Sequence, residues 1–392
     1  MVAKRKPQSP VAKLPRELRR IRRQAGNLVR PMLTKAYAAR SRLYFKHLRK
    51  TYERSPLATE PETFCLLRII GNDLVPRHSK GQSRDNVAFI LGHELELQDC
   101  SKRWILNRIF DAEEEAAIIE LLERHRQPYH RIPFDLAAYA RQPWDMAGIP
   151  EHLLSFDDDC DYPTPEEKLK LAARVRRAKS NYAINNNGAR NVALTVGRAF
   201  AKWVLPWDGN CFLTEGAWSR VRADIARRPF LPYFTTPMAR IVDNSTLLRE
   251  PFSPRAREEP QVIFRRDARE MFDERFPYGR RPKVELLWRL GVPGIWDHFT
   301  IQEYDLPRPP LCREAGHCAR AGWVARLSSG KPTLEVGRKS AKSRTASRDE
   351  AIVSFLDMLD RACVEANLTP PKQPSYRAES GLRSSAELIT SI

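Results

Sequence analysis

Apolar runs alternate with segments of helical spacing through the first third of the chain. Phe64–Ile70 is a compact apolar run bounded by a polar Gly-Asn-Asp turn, which predicts a buried strand. Arg103–Ile109 predicts a second strand and Tyr129–Phe134 a third. Between them, Asp85–Leu95 and Ala112–His125 have apolar residues at helical intervals. Because strands alternate with helices, we expect parallel βαβ units and an α/β fold with a mostly parallel sheet flanked by helices.

A similar pattern occupies the middle of the chain. From Asn185 a polar, glycine-containing loop leads into a helix that we predict to begin near Ala189. The residues expected on its packed side are Ala193, Leu194 and Ala199. A short apolar strand, Trp203–Leu205, comes next, and the acidic turn Trp207–Asn210 follows it. A carboxylate just past the end of a buried strand lies where open α/β sheets bind their ligands.

Four other segments have readable patterns. Lys168–Lys179 predicts a basic helix, and Tyr182–Ile184 predicts a fourth strand that leads into the loop. Pro260–Arg265 predicts a further strand. Asp349–Ala366 predicts an amphipathic helix, whose apolar positions are Ile352, Val353, Phe355, Leu356 and Leu359.

Length and patterning together predict three parts in this chain of 392 residues. Residues 1–60 form a basic, helical N-terminal arm, and residues 61–300 form the main α/β domain. Residues 301–392 form a small C-terminal appendage that ends in a disordered tail. Within the appendage, Trp323–Leu327 and Thr333–Val336 flank a Ser-Ser-Gly turn and predict a hairpin.

The positive charge is concentrated at the start of the chain. Residues 1–50 contain sixteen Lys or Arg and one acidic residue, so they account for most of the net charge of +19. Three interpretations of this arm stay open: a solvated helical extension, an amphipathic helix on an anionic membrane surface, or a segment that binds nucleic-acid phosphates.

The sequence lacks several features that are typical of membrane and exported proteins. No stretch of about 18 uncharged apolar residues suggests a membrane span, and the N-terminus has no apolar signal region. The seven cysteines are scattered without a pattern of pairs. We therefore expect a cytoplasmic protein with reduced thiols, which binds at the inner membrane face if the arm contacts lipid.

The central segment resembles the nucleotide-sugar-binding core of glycosyltransferases with the GT-A fold, especially those of family 2. Gly188–Asn191 is similar to the helix start of that family, and Asp208-Gly209-Asn210 is similar to its D-x-D turn. The resemblance implies a Rossmann-like GT-A domain, a nucleotide-sugar donor, and Mg²⁺ or Mn²⁺ bound by Asp208 and Asn210. Because Asn210 replaces the second Asp, we expect weaker metal binding than in the family.

A second resemblance covers the acceptor side of the same family. Matching residues are Phe272, Asp273, Glu274, Phe276, Tyr278, Gly279 and Arg289. The family's E-D pair, whose Asp is the usual catalytic base, is replaced here by Pro282 and Lys283. The nearest carboxylate is Glu285, which we predict as the substitute base. Short motifs such as P-W-D-G-N also resemble motifs of a poorly characterised bacterial group of this kind.

Candidate donor-binding residues lie at the ends of the predicted strands and at helix starts. Under the resemblance, residues after the first two strands face the nucleotide, and residues at the helix start bind anions. The basic cluster beside the acceptor-side segment contacts the donor diphosphate or an anionic acceptor. These candidates are Arg68, Asn72, Asp73, Asn107, Arg108, Arg190, Asn191, Arg281 and Lys283. Loop architecture, helix capping and solvated charge are equally open explanations for most of them.

Three functions are compatible with these observations. The first is a metal-dependent glycosyltransferase that transfers a sugar from a nucleotide-sugar donor to an unknown acceptor, such as a surface polysaccharide or a glycolipid. The second is a catalytically degenerate protein that binds a nucleotide sugar or a glycan, since the E-D pair is missing. The third is a nucleic-acid-binding protein that uses the basic arm.

Overall fold

The computed structural model describes residues 45–147, 149, 165–249, 252, 254–299, 301, 305–328 and 338–368. Two compact units divide the chain, Met1–Ala58 and Thr59–Ile392. In the first unit, residues 45–53 are helical and Pro56–Ala58 forms a 3₁₀ turn. The membrane and nucleic-acid predictions for the arm, the second half of the predicted hairpin and the predicted disordered tail fall mainly outside the described residues.

The second unit is an α/β domain around one mixed sheet. Its strands are β1 Phe64–Ile70, β2 Cys100–Asn107, β3 Tyr129–Ile132, β4 Trp203–Asp208, β5 Cys211–Phe212, β6 Tyr233–Arg240, β7 Glu258–Arg265, β8 Cys318–Arg320 and β9 Val324–Arg326. Its helices are α1 Gln82–His93, α2 Ala112–Arg124, α3 Leu136–Ala140, α4 Pro165–Val175, α5 Arg177–Ile184, α6 Asn186–Arg198, α7 Glu215–Ala226, α8 Val284–Arg289 and α9 Arg338–Glu365.

The strand order is β3-β2-β1-β4-β7-β6-β9-β5, with β8 beside β6. The first four strands are parallel to one another, whereas β7 is antiparallel to both β4 and β6. Both β8 and β9 pair in parallel with β6, and β5 closes the order antiparallel to β9. The predicted α/β fold with a mostly parallel sheet is therefore confirmed, with the reversal at β7 as an addition.

Continuous apolar runs explain the parallel half of the sheet. In β1 every residue except Ile69 is buried, as expected for a strand covered by helices on both faces. Helix α6 packs closely on this half because it has a glycine at the contact. A Cβ atom at Gly197 would lie 2.4 Å from Val204 Cγ1 and 2.8 Å from Leu67 Cδ1. This contact fixes the end of α6 relative to the start of β4.

The structure departs from three local predictions in the middle of the chain. Tyr182–Ile184 is the end of helix α5, because Lys179, Ser180 and Ala183 are buried at helical spacing. The predicted helix Lys168–Lys179 is divided between α4 and α5. Ala199 follows the last residue of α6 and is exposed, whereas Ala193 and Leu194 are buried as predicted.

The C-terminal third contributes to the same sheet. Strands β8 and β9 pair with β6, so these residues of the predicted appendage are part of the main domain. Helix α9 packs its apolar face, including Ile352 and Leu356, against a cluster with Tyr139 and Ala183. None of the helices in the described ranges is long and apolar enough to cross a membrane.

Candidate functional site

A cleft of about 750 Å³ opens where the parallel strands β1, β2 and β4 end. The carboxyl ends of parallel strands meet at one edge of a sheet, and crevices there are the usual ligand sites of such folds. Its lining includes Gly71 after β1, Asn107 at the end of β2 and Asp208 at the end of β4. Helix α9, near the end of the chain, adds Thr345 and Arg348.

Most of the predicted site residues lie in this cleft. Those that line it are Asn72, Asp73, Asn107, Arg190, Asp208, Asn210, Arg281 and Lys283. They come from positions 72 to 283 of the sequence, and the sheet brings them together because β1, β2 and β4 are neighbours and parallel.

Asp208 lies at the centre of a polar cluster on the cleft floor. One carboxylate oxygen accepts from Arg190 Nη2 at 2.7 Å. The other accepts from Gln261 Nε2 at 2.8 Å and from Lys283 Nζ at 3.3 Å. The Asp208 side chain keeps 32% of its surface exposed, whereas those of Arg190 and Lys283 keep 5% and 3%. The carboxylate is thus held by two buried cations.

These partners determine the ionisation of Asp208. Burial alone would raise the pKa of its carboxyl group, but Lys283 and then Arg190 lower that pKa by more. The pKa of Asp208 therefore lies well below its ordinary value, and the group is a carboxylate at every physiological pH.

Three separate elements position this cluster. Asp208 is the last residue of β4, and the turn after it needs glycine, because a Cβ atom at Gly209 would lie 2.5 Å from the Ile69 carbonyl oxygen. Arg190 lies in the second turn of α6, where Asn187 Oδ1 accepts from its Nη1 at 2.8 Å. Lys283 immediately precedes α8.

Strand β7 adds carboxylates to the same cleft. Its antiparallel direction brings its first residues beside the end of β4. Glu259 lies 3.5 Å from Lys283 Nζ, with 36% of its side chain exposed. Glu258 forms a bidentate ion pair with Arg240, at 2.9 and 2.6 Å, and lies 3.7 Å from Arg326.

The cleft as a whole is strongly basic. Its lining contains nine Arg or Lys side chains and four carboxylates. The cations are Arg77, Arg190, Arg240, Arg257, Arg280, Arg281, Lys283, Arg326 and Arg348, and the carboxylates are Asp73, Asp208, Glu258 and Glu259. Such an excess of positive charge in a concave surface favours an anionic ligand.

Loop architecture accounts for the hydrogen bonds of the polar residues after β1 and β2. Asn72 donates to the Arg108 carbonyl at 2.7 Å and accepts from the Phe110 N–H at 2.8 Å. Asn107 donates to the Ile184 carbonyl at 2.8 Å. Asp73 accepts from the Ser83 backbone and hydroxyl, and burial raises its pKa.

Four other candidates, Arg68, Arg108, Asn191 and Glu285, do not line the cleft. Arg68 is fully buried, where it pairs with Glu94 and donates to the Cys211 carbonyl at 2.8 Å. Arg108 lies with its guanidinium 4.0 Å from the centre of the Tyr182 ring, in a neighbouring depression.

Asn191 and Glu285 join the second matched segment to the helices. Asn191 donates to the Phe272 carbonyl at 2.9 Å and to Glu274 Oε1 at 2.8 Å. Glu285 is fully buried, and it accepts from the Asp273 N–H at 2.7 Å and from Arg289 Nε at 2.8 Å. Burial raises the pKa of Glu285. The structure places the predicted base inside the protein, outside the cleft lining.

The side chains around Asp208 do not form a set of oxygen ligands that fits a Mg²⁺ or Mn²⁺ ion. Such ions prefer several oxygen ligands, often two carboxylates, around one point. Here both oxygens of the Asp208 carboxylate accept from buried cations. The second residue of the predicted pair, Asn210, offers an amide oxygen in place of a carboxylate. In the described part of the chain, no group of three or more His, Cys, Asp or Glu could hold a metal ion. Metal binding at Asp208 and Asn210 stays a prediction.

Sequence reasoning missed two residues of this cluster. Gln261 is fully buried in β7 and donates to Asp208, and Glu259 approaches Lys283. A signal for Gln261 existed, because it is a lone amide in the otherwise apolar run Pro260–Phe264. Buried amides in strands need partners, which makes them candidates for a site.

Comparison of the chain with models of protein families gives no match, and comparison with curated proteins gives none either.

Proposed function

We propose that the protein binds a nucleotide sugar in this cleft and transfers the sugar to the hydroxyl group of an acceptor. The observation that carries the proposal is the Asp208 cluster, which lies at the carboxyl ends of three parallel strands in a basic cleft. Basic side chains at such an edge suit a ligand with a diphosphate group.

The GT-A-like topology is part of this proposal. Four parallel strands are followed across the sheet by the antiparallel β7, and the D-x-D-like turn comes directly after β4. The second matched segment lies against α6 through Asn191 and Asn187, the latter donating to the Asp273 and Pro282 carbonyls at 2.7 and 2.6 Å. The two motifs that carry the resemblance are therefore adjacent in space.

Transfer requires neutralisation of the leaving diphosphate and removal of a proton from the acceptor. The acceptor oxygen forms a bond to the anomeric carbon as the bond from that carbon to the phosphate oxygen breaks. The cleft cations neutralise the departing nucleoside diphosphate. Of the four carboxylates that line the cleft, Glu259 is the one we assign as base, because Asp208, Glu258 and Asp73 are each held by two or more donors or cations.

A donor screen tests this function. Purified protein would be incubated with uridine and guanosine diphosphate sugars, and release of the nucleoside diphosphate would be measured with and without Mn²⁺. The expected result is donor hydrolysis with at least one sugar, since water replaces a missing acceptor. Absence of nucleoside diphosphate release with every donor that binds would contradict the transfer reaction.

A second candidate function is binding without turnover. It is favoured by Lys283, which occupies a position where the family has its catalytic carboxylate, and by the burial of Glu285. Thermal shift by nucleotide sugars together with no product release would favour this binding protein over an enzyme.

A further inference from the structure

We propose that Lys283 and Arg190, held in place by Asp208, bind the diphosphate of the ligand directly and do so without a divalent cation. The proposal rests on the proposed function for the identity of the ligand, a nucleoside diphosphate or its sugar ester. It assigns Asp208 as a positioning residue for two cations, a role different from that of a metal ligand.

Two cations and two carboxylates make up the Asp208 cluster. Lys283 Nζ lies 3.3 Å from Asp208 and 3.5 Å from Glu259, and Arg190 Nη2 lies 2.7 Å from the other Asp208 oxygen. A divalent ion bound by Asp208 would have to displace these two cations, or lie beside them against their repulsion. Both cations are nearly buried, so neither side chain can retreat easily into water.

Two cations of the cleft keep hydrogen-bond donors that the described residues do not use. An ammonium group has three donors, and a guanidinium group has five. Buried Arg190 Nε has no hydrogen-bond partner in the described part of the chain, and neither does Arg280 Nη2. Arg190 and Arg280 both line the cleft, so two of its cations keep a buried donor atom that no described residue satisfies.

Positively charged side chains outnumber carboxylates in the cleft lining. Within the cluster, Asp208 and Glu259 offset Arg190 and Lys283, but five cations of the lining remain in excess over carboxylates. Arg280, Arg281 and Arg348 come from the loop before α8 and from α9, on the same cleft as Lys283. The protein thus supplies at this site the positive charge that Mg²⁺ or Mn²⁺ would otherwise bring to a diphosphate.

Calorimetric titration of the full chain with UDP, GDP and inorganic pyrophosphate tests the proposal, in EDTA and in Mn²⁺. We expect binding of at least one probe in EDTA, with a Kd within about twofold of that in Mn²⁺. Lys283→Met removes the charge but keeps the apolar stem, and it should weaken binding in EDTA by about tenfold or more. Arg124→Ala is the matched control, because Arg124 is an exposed cation on α2 outside the cleft lining.

Asp208→Asn separates the two roles of this residue. If Asp208 holds cations, the variant loses a negative charge beside the ligand, so the Kd in EDTA should stay within about threefold of wild type or fall. The kcat for donor hydrolysis should fall, because Arg190 and Lys283 lose their fixed positions. Circular dichroism would first establish that each variant is folded.

The outcomes distinguish this proposal from the proposed function. Nucleotide binding that requires Mn²⁺ and is lost in Asp208→Asn overturns the metal-free site while leaving the transferase intact. Pyrophosphate binding in EDTA that depends on Lys283, without any nucleotide binding, supports the metal-free site and contradicts the transferase. If no probe binds under either condition, both proposals are overturned.

Discussion

The ammonium group of Lys283 lies 3.3 Å from the carboxylate of Asp208, although 75 residues separate them in the sequence. One residue ends the strand β4 and the other precedes the short helix α8, so the pair connects the edge of the sheet to the loop before that helix. This pair places a cation where the resemblance to glycosyltransferases implies a carboxylate, and most of the expected behaviour of the protein depends on it.

The first prediction concerns pH. The pKa of Asp208 is lowered in the folded protein, so its ion pairs stabilise the fold above about pH 4, the ordinary pKa of Asp, and this stability is lost as pH falls below that value. Asp208→Asn should therefore lower the free energy of unfolding at pH 7 by about 2 kcal/mol, less than for a fully buried pair. The difference between wild type and variant should shrink toward pH 3, as measured by denaturant unfolding at each pH.

A matched variant controls for effects of low pH that do not involve Asp208. Glu120→Gln removes an exposed carboxylate whose partner, Arg124, is also exposed. Its effect should stay below about 0.5 kcal/mol at every pH. A difference for Asp208→Asn that is equally small at pH 7 would mean that the two buried cations do not depend on this carboxylate.

The second prediction separates two candidate bases. Glu259→Gln should lower kcat for sugar transfer or donor hydrolysis by about 100-fold with a small effect on nucleotide affinity, because Glu259 lines the cleft and is the base of the proposed transfer. Turnover and UDP affinity would be measured on the same preparation. Unchanged kcat in Glu259→Gln would exclude it as the base.

Glu285→Gln is the comparison for that experiment. Because Glu285 is buried and paired with Arg289, its replacement should lower stability by about 1–3 kcal/mol while the folded fraction keeps its kcat. Loss of turnover in fully folded Glu285→Gln, with Glu259→Gln active, would restore Glu285 as the base.

The third prediction concerns the turn after β4. A side chain at Gly209 would contact Ile70 Cδ1 at 2.4 Å and the Ile69 carbonyl at 2.5 Å, so Gly209→Ala must push the turn away from β1. We expect a loss of about 1–3 kcal/mol in stability. Since the shift moves Asp208, which holds Arg190 and Lys283 in position, the kcat for donor hydrolysis should fall as well.

Gly216→Ala provides the control for this turn. Gly216 is in helix α7, and a Cβ atom there would have no neighbour within 4 Å. Alanine should leave stability unchanged or raise it by up to about 1 kcal/mol. If both alanine variants behaved alike, close packing of the turn on β1 would not be what holds Asp208.

A fourth prediction concerns ionic strength. Because the cleft lining has five more cations than carboxylates, affinity for UDP should fall steadily as KCl is raised from about 50 to 500 mM. Adenosine, which has no phosphate, should show no such dependence if it binds. Salt-independent UDP binding would place the ligand elsewhere on the protein.

Much of the parallel half of the fold was predictable from the sequence. Strand β1 has the predicted limits, and α2 ends one residue before the predicted His125. Both have strong signals, since β1 is apolar except for Arg68 and α2 begins with an Asp111 cap that accepts from the Glu113 and Glu114 N–H groups. Short segments such as Tyr182–Ile184 lack the length that distinguishes strand from helix.

The candidate site was predictable only as a set of positions. A strand end and a helix start identified Asp208 and Arg190 as candidates, and the basic cluster beside the second matched segment identified Lys283; all three line the cleft. That these three contact one another was not predictable, because their contact depends on how α6 and the loop before α8 pack on the sheet. For the same reason the direction of β7, which delivers Gln261 and Glu259, was beyond local patterning.

The alternation of side chains along β7 also limits where the chain can gain or lose residues near the cleft. Side chains alternate between the two faces of a strand, so one residue inserted between Glu259 and Gln261 would turn part of β7 over and remove an amide from Asp208. One residue inserted in the loop before Glu258 would leave that alternation intact. Related chains that keep this chemistry should therefore differ in length before Glu258 and keep the same spacing after it.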